Sequence, residues 1–177
     1  MADLRKWQLV SQEEVFNQYN RAVNKRVYIF PNNQSGDYYI KDEGKGVAVL
    51  AETTDKKFIL AKHYRPGPDE VLTELPGGNV DPGESEDQAA EREFLEETGY
   101  KGEISFVGAF YDDAYTSSMR YLYVAKRAIK VAEPKLTPSE QIEVVLASLK
   151  EFRQILKKGG LTDLGLAYAG LDYLGYI

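Results

Sequence analysis

Several residue types that build common functional sites are missing or scarce in this chain of 177 residues. It contains no cysteine, which excludes disulfide bonds, thiolate catalysis and cysteine-based zinc sites. Its single histidine, His63, excludes histidine-rich metal sites and leaves at most one candidate for a histidine-based triad. Carboxylates, hydroxyls, lysine and arginine therefore remain as the groups that could carry catalysis.

Long apolar runs and a basic excess are also absent. The run at residues 47–51 is far shorter than the roughly 20 residues that cross a bilayer, and residues 1–7 lack the apolar stretch of a secretory signal. The net charge of −6 provides no cationic excess for binding a nucleic acid polymer. We therefore expect a cytoplasmic protein without a membrane or nucleic acid partner. An acidic protein can still bind a small anion when a metal ion lies between them.

Strand and helix signals alternate along the chain, with no repeat or linker, so we expect a single domain over 1–177. Runs rich in β-branched and aromatic residues predict strands at 26–30, 38–40, 46–53, 57–65, 70–75, 104–112, 119–131 and 142–149. Helices are predicted before Gly99 and at 151–158 and 163–174, and the last is apolar nearly all round, which predicts burial. Strands mixed with three helices predict an α/β sandwich.

The strongest helix signal carries an acidic face. Ser85 and Gln88 form a plausible capping box at its start, and Gly99 is a natural stop. At about 100° per residue, Glu93, Glu96 and Glu97 share an arc of about 100°. Like charges at this spacing destabilise a helix by about 0.2–0.5 kcal/mol per pair. The face is either a solvated acidic surface or a site for a hard cation such as Mg²⁺ or Mn²⁺.

The full spacing over residues 78–100 is G-x5-E-x7-R-E-U-x-E-E-x-G-U, where U is a bulky apolar residue, and it resembles the Nudix box. Every fixed Gly, Arg and Glu is present, while Phe94 and Tyr100 replace aliphatic residues at the U positions. The resemblance implies a Nudix-type α/β/α sandwich with a mixed β-sheet and a loop–helix–loop catalytic motif. It also implies a pyrophosphohydrolase that needs Mg²⁺ or Mn²⁺.

Individual roles follow from the same resemblance. It implies that the metal is bound by Glu93, Glu96 and Glu97 and by the backbone carbonyl of Gly77. Arg92 would orient a neighbouring carboxylate, and Glu84 would support the metal network or act as a helix-start carboxylate. A metal-activated water would attack one phosphorus of a diphosphate, with Glu96 or Glu140 taking the proton.

Further segments are similar to the ADP-ribose pyrophosphatase branch of the family, which cleaves nucleoside diphosphate sugars. They are Tyr-Arg-Pro at 64–66, Glu-Leu-Pro-Gly-Gly at 74–78, the acidic loop at 139–144 and Gly-Leu-Thr-Asp at 160–163. This similarity implies a nucleotide-sugar substrate and a homodimer that uses the N-terminal strands of 1–45. The branch's Ser-Pro-Gly is missing from the loop at 111–119. ADP-ribose is therefore not expected to be the uniquely preferred substrate.

For several residues outside the box, the sequence allows both a functional and a structural interpretation. Glu140 is a metal ligand or general base, or else a solvated loop carboxylate, whereas Glu143 alternates with apolar residues as an outward strand residue. Arg65 either binds a substrate phosphate through its guanidinium group or forms a surface ion pair. Tyr28 and Tyr115 either stack on a nucleobase or pack against the protein. His63 is expected to be a packed or surface histidine.

Two other functions remain open. The first is hydrolysis of nucleoside triphosphates or dinucleoside polyphosphates, which differs only in substrate. The second is a non-catalytic module that senses nucleotides. Such modules typically lose box glutamates, and this sequence keeps all of them.

Overall fold

The computed structural model describes residues 4–19, 21–137 and 141–177. Within these residues the chain forms nine strands and three helices: β1 (Gln8–Gln18), β2 (Arg21–Ile29), β3 (Ser35–Asp42), β4 (Lys45–Thr53), β5 (Phe58–Arg65), β6 (Glu70–Glu74), α1 (Glu86–Thr98), β7 (Tyr100–Phe110), β8 (Met119–Lys130), β9 (Ile142–Ala147), α2 (Leu149–Lys158) and α3 (Leu164–Tyr173). They group into two compact units, Met1–Gly44 with Tyr111–Met119, and Lys45–Phe110 with Arg120–Ile177.

The first unit contains an antiparallel sheet in the order β1-β2-β3. Aromatic side chains reinforce it, because Trp7 packs on Phe30 and Tyr38 with ring centroids 4.6 and 5.4 Å apart. Every residue of β1 is exposed. The sequence predicted β2 and β3 in shorter form, whereas β1 lies outside its predicted strands.

The second unit contains the larger sheet, in the order β6-β5-β4-β8-β7 with β9 paired to β5. Strand β5 pairs antiparallel with β6 at residues 61–65 and with β9 at residues 58–63. Strand β4 is buried from Gly46 to Thr53. Such burial on both faces requires covering layers on both sides of the sheet.

Two hydrophobic clusters supply those layers. Val47, Val49 and Ala51 of β4 pack in one cluster with Ala89, Ala90 and Phe94 of α1. Ala48 and Leu50, which alternate with them, pack in the other cluster with residues of α2 and α3, among them Phe152 and Leu171. Because successive strand side chains point to opposite faces, α1 lies on one face and α2 and α3 on the other. The predicted α/β/α sandwich is confirmed.

The element boundaries mostly follow the sequence prediction. The predicted burial of the last helix is confirmed for Leu166, Ala167, Gly170 and Leu171, but wrong for Tyr168 and Tyr173, which are exposed. The chain divides into two compact units, and the single domain over 1–177 stays a prediction. In the described part of the chain, no helix is long and apolar enough to cross a membrane.

Candidate active site

The helix α1 carries the acidic face, and its ends are fixed by local chemistry. The Ser85 hydroxyl accepts from the Gln88 N–H while the Gln88 side chain accepts from the Ser85 N–H, which confirms the predicted capping box. Gly99 ends the helix in the left-handed conformation, with φ of 76°, and donates its N–H to the Leu95 carbonyl at 2.8 Å. A side chain at Gly99 would also collide with the Ala132 carbonyl, 2.1 Å from the ideal Cβ position.

The segment before α1 runs along β4 as an extension of the sheet. The N–H groups of Val47 and Val49 donate to the carbonyls of Gly78 and Pro76, each at 2.8 Å. Between these two, Gly77 approaches β4 so closely that a Cβ would lie 2.1 Å from the Val47 carbonyl oxygen. The Gly77 N–H points to the helix and donates to Glu97 Oε2 at 2.8 Å. Only glycine therefore fits between the strand and the acidic face.

Arg92 organises the carboxylates around it. Its Nε and Nη2 each lie 2.8 Å from an oxygen of Glu84, and Nη1 lies 2.8 Å from Glu93 Oε1 and 3.4 Å from Glu96 Oε2. The Glu84 contact raises the pKa of Arg92, and Arg92 lowers the pKa of Glu84. Arg92 thus contacts three carboxylates at once, and the orienting function of Arg92 and the supporting function of Glu84 stay predictions.

The three helix glutamates differ in exposure. Glu97 is 8% exposed, whereas the side chains of Glu93 and Glu96 are 17% and 40% exposed. All three line one cleft of about 260 Å³ together with Arg92. Among residues 4–19, 21–137 and 141–177, no three carboxylate or histidine side chains are drawn together into a formed metal cluster. Their oxygens are nevertheless the donor type that Mg²⁺ and Mn²⁺ prefer, so the donor set fits such an ion chemically.

The cleft is also lined by the segment Lys135, Leu136 and Thr137. This segment is attached to the end of α1 by its backbone. Val131 and Ala132 donate to the Gly99 carbonyl at 2.8 and 3.1 Å, and Lys135 donates to the Glu96 carbonyl at 2.7 Å. The sequence does not predict these lining residues, because no local motif links residues 131–137 to the helix.

Arg65 lies in a polar cluster around buried Glu74. The Glu74 carboxylate accepts from Arg65 Nε at 2.8 Å, contacts Arg65 Nη2 and His63 Nε2, the latter at 2.7 Å, and accepts from the Thr162 hydroxyl at 2.7 Å. Burial raises the pKa of Glu74, but these hydrogen bonds lower it further, so the net shift is downward. Of its two interpretations, Arg65 forms the ion pair here, and His63 is packed.

Of the remaining candidates in the described part of the chain, Tyr28, Tyr115 and Glu143 are not among the residues that line the cleft. Tyr28 and Tyr115 belong to the first unit, where each has Tyr38 as an aromatic neighbour at 6.0 and 6.2 Å between ring centroids. Glu143 is exposed on β9 and faces Lys62 at 3.5 Å, as expected for an outward strand residue. Glu140 lies outside the described residues, so its function stays a prediction.

An acidic, arginine-braced helix on an α/β/α sandwich is the arrangement that the Nudix resemblance predicted. Residues 42–163, more than half of the chain, match the NUDIX domain. The chain therefore belongs to the Nudix family.

Individual relatives match across most of the chain. An ADP-ribose pyrophosphatase of Bacillus subtilis (strain 168) is 29% identical over 147 residues, covering 81% of this chain and 79% of the relative. A methanol dehydrogenase activator of Bacillus methanolicus is 29% identical over 171 residues, covering 92% and 90%. A crystal structure of an ADP compounds hydrolase superposes with a TM-score of 0.79 at 22% identity, over 100% of both chains. The structural likeness confirms the fold.

Proposed function

We propose that this protein hydrolyses the diphosphate bond of a nucleoside diphosphate sugar, giving a nucleoside monophosphate and a sugar phosphate. The observation that carries the proposal is the cleft in which Glu93, Glu96 and Glu97 lie beside Arg92. The similarity to an ADP-ribose pyrophosphatase over most of the chain supports the substrate class. Retention of all box glutamates favours a hydrolase over a non-catalytic sensor.

The proposed cofactor is Mg²⁺ or Mn²⁺, held by the carboxylates of Glu93, Glu96 and Glu97 and the carbonyl of Gly77. The Gly77 N–H donates to Glu97 Oε2, while the carbonyls of the flanking Pro76 and Gly78 bond to β4, so Gly77 lies directly beside the acidic face. When bound, such an ion polarises the phosphoryl group and lowers the pKa of a water molecule.

The residues of the chain position the reacting groups. Arg92 fixes Glu84 and Glu93 by short hydrogen bonds but holds Glu96 only at 3.4 Å. Glu96 is also the more exposed of the two side chains that Arg92 links on the helix. A loosely held carboxylate that lines the cleft is suited to take a proton from the attacking water. Glu140 remains the other candidate for this function.

A second candidate substrate class is the nucleoside triphosphates or dinucleoside polyphosphates. This second class is supported by the loop at 111–119, which lacks the Ser-Pro-Gly of ADP-ribose-specific members. The two classes differ in the number of phosphates and not in the chemistry at the helix. A substrate panel distinguishes the two classes.

The test is a panel of ADP-ribose, GDP-mannose, ADP-glucose, UDP-glucose, diadenosine polyphosphates and nucleoside triphosphates, each assayed with Mg²⁺ and with Mn²⁺. We expect at least one nucleotide sugar to have a higher kcat/KM than any triphosphate, and ADP-ribose not to be uniquely preferred. A strong preference for triphosphates refutes the first expectation. A large exclusive preference for ADP-ribose refutes the second.

We also propose that the sheet of the first unit forms a homodimer contact. Strand β1 is exposed at all of its positions, and these include the apolar side chains of Leu9, Val10, Val15 and Phe16. A strand of 11 residues with several exposed apolar side chains is unusual for a monomer surface. Association with a second copy would remove these side chains from water.

A further inference from the structure

Beside the proposed metal ion, a cationic side chain in the acidic cleft would strengthen the binding of an anionic substrate. The lining of the cleft includes three carboxylates on α1. Arg92 lies in the same cleft, but its guanidinium already donates to Glu84, Glu93 and Glu96 and to the Asn79 carbonyl. Its charge therefore compensates the carboxylates of the protein. A diphosphate group would therefore gain little attraction from Arg92.

A second cation, Lys135, also lines the cleft. Lys135 is exposed and is the one lysine among the residues that line this cleft in the described part of the chain. Its backbone is held in place, because its N–H donates to the Glu96 carbonyl at 2.7 Å. The preceding residues Val131 and Ala132 are anchored on the Gly99 carbonyl. Lys135 thus combines a backbone that is fixed to α1 with a flexible side chain in the cleft that the glutamates of α1 also line.

We propose that Lys135 binds a phosphate oxygen of the substrate and sets its position against the glutamates of α1. The proposal rests on the proposed function, since it assigns a residue to the diphosphate of that substrate. Lysine suits this task because its ammonium group acts as a mobile point charge with three donors. Because residues 131–137 are hydrogen-bonded to α1, the backbone of Lys135 keeps a constant position relative to the glutamates of that helix.

A structural function for Lys135 makes a different prediction. The last turn of α1 contains no basic residue, so a lysine near the helix end could simply complement the helix dipole. That function would affect stability and leave substrate affinity unchanged. A phosphate contact made equally in the ground and transition states would raise KM and leave kcat nearly unchanged. The two functions therefore separate in one set of variants.

The experiment compares Lys135→Gln, Lys135→Arg and the control Lys130→Gln. Lys130 lies nearby in sequence but pairs with Glu133 at 2.7 Å and does not line the cleft. For Lys135→Gln we expect KM for the best substrate of the panel to rise about tenfold, as for loss of one hydrogen bond to a charged group. Its kcat and melting temperature should stay near wild type. Lys135→Arg should recover most of the affinity, and Lys130→Gln should resemble wild type.

A calorimetric titration with magnesium pyrophosphate provides a readout that does not depend on turnover. Lys135→Gln should bind this probe about tenfold more weakly than wild type. Unchanged KM and unchanged pyrophosphate affinity, with or without a lower melting temperature, overturn the proposal. If wild-type protein hydrolyses no compound of the panel, the proposed function fails, and the titration still decides whether Lys135 binds phosphate.

Discussion

The two compact units of this protein differ sharply in what they bury. In the second unit, side chains such as Leu50, Phe58 and Phe94 are almost completely removed from water on both faces of the sheet. In the described part of the first unit, only Asn24, Ile40 and Ser118 are buried. The acidic cleft lies entirely on the second unit. The candidate chemistry is thus built on the unit with its own hydrophobic core, where close packing fixes side-chain positions.

The first unit is held together by different interactions. Rings of Trp7, Phe30 and Tyr38 pack on one another, and ion pairs such as Lys25–Asp37 lie at the surface. Exposed ion pairs contribute little to stability. A sheet with so small a core gains stability by covering its apolar side chains, which is the physical reason to propose assembly through this unit. Variants in the second unit should therefore change catalysis or stability, whereas variants in the first unit should change assembly.

The largest effect is expected for Glu97→Gln in the second unit. It removes a proposed metal ligand while keeping an oxygen that can accept from the Gly77 N–H. We expect kcat to fall by orders of magnitude and the melting temperature to stay the same or rise, because the lost charge repelled its neighbours. The measurements are steady-state kinetics with Mg²⁺ and thermal denaturation. Wild-type turnover in the variant, or full wild-type activity in excess EDTA, contradicts the metal assignment.

Glu140→Gln should follow in size. As a general base or metal ligand, Glu140 would act in the transition state, so its replacement should lower kcat more than it raises KM. Glu143→Gln is the matched control, because this residue is exposed on β9 and faces Lys62. Steady-state kinetics of both variants test the assignment. Equal effects, or a larger effect at Glu143, would show that the wrong carboxylate was chosen.

A loss of stability without a change at the acidic helix is expected for Glu74→Ala. The variant leaves the partly buried His63 and Arg65 without their carboxylate partner. Because the Arg65 side chain is 44% exposed and can be solvated, the loss of these hydrogen bonds should lower the free energy of unfolding by about 1–3 kcal/mol. Urea denaturation measures it, with Glu143→Gln expected to change the value by less than about 0.5 kcal/mol. A loss as small as that of the control would mean that the cluster is energetically neutral.

Acid should weaken the second unit through the same carboxylate. Hydrogen bonds from Arg65, His63 and Thr162 outweigh burial and keep the pKa of Glu74 below its ordinary value of 4.5. Because the unfolded chain binds this proton more readily, the stabilisation is complete above the ordinary pKa and is lost as pH falls through the folded-state pKa. The stability difference between wild type and Glu74→Ala should therefore shrink towards acid pH. A difference that stays constant with pH would rule out this linkage.

The smallest effect on stability, but a clear one on assembly, is expected for Phe16→Ser in the first unit. Phe16 is 47% exposed, so its replacement should change the stability of one copy by less than about 0.5 kcal/mol. Light scattering should nevertheless show a shift from dimer to monomer. Val71→Ser is the control, since Val71 is 58% exposed on β6 of the second unit. A wild-type protein that is already monomeric refutes the dimer proposal.

The sequence by itself determined the helix of the site and the nature of its acidic face. Ser85, Gln88 and Gly99 act through hydrogen bonds within a few residues, and the helical repeat alone places Glu93, Glu96 and Glu97 together. Local interactions of this kind do not depend on the rest of the fold. The same holds for the approximate positions of β4, β5, β6 and β8, whose β-branched and apolar runs predicted strands.

Only the tertiary structure decided which residues surround that face. The polar strand β1 forms through pairing with β2, and Arg65 is directed to Glu74 by the pairing of β5 with β6. The carbonyls of Glu96 and Gly99 bring Lys135 to the cleft from beyond two intervening strands. Each of these contacts joins residues whose proximity depends on strand register and connections, and no local residue pattern encodes that proximity.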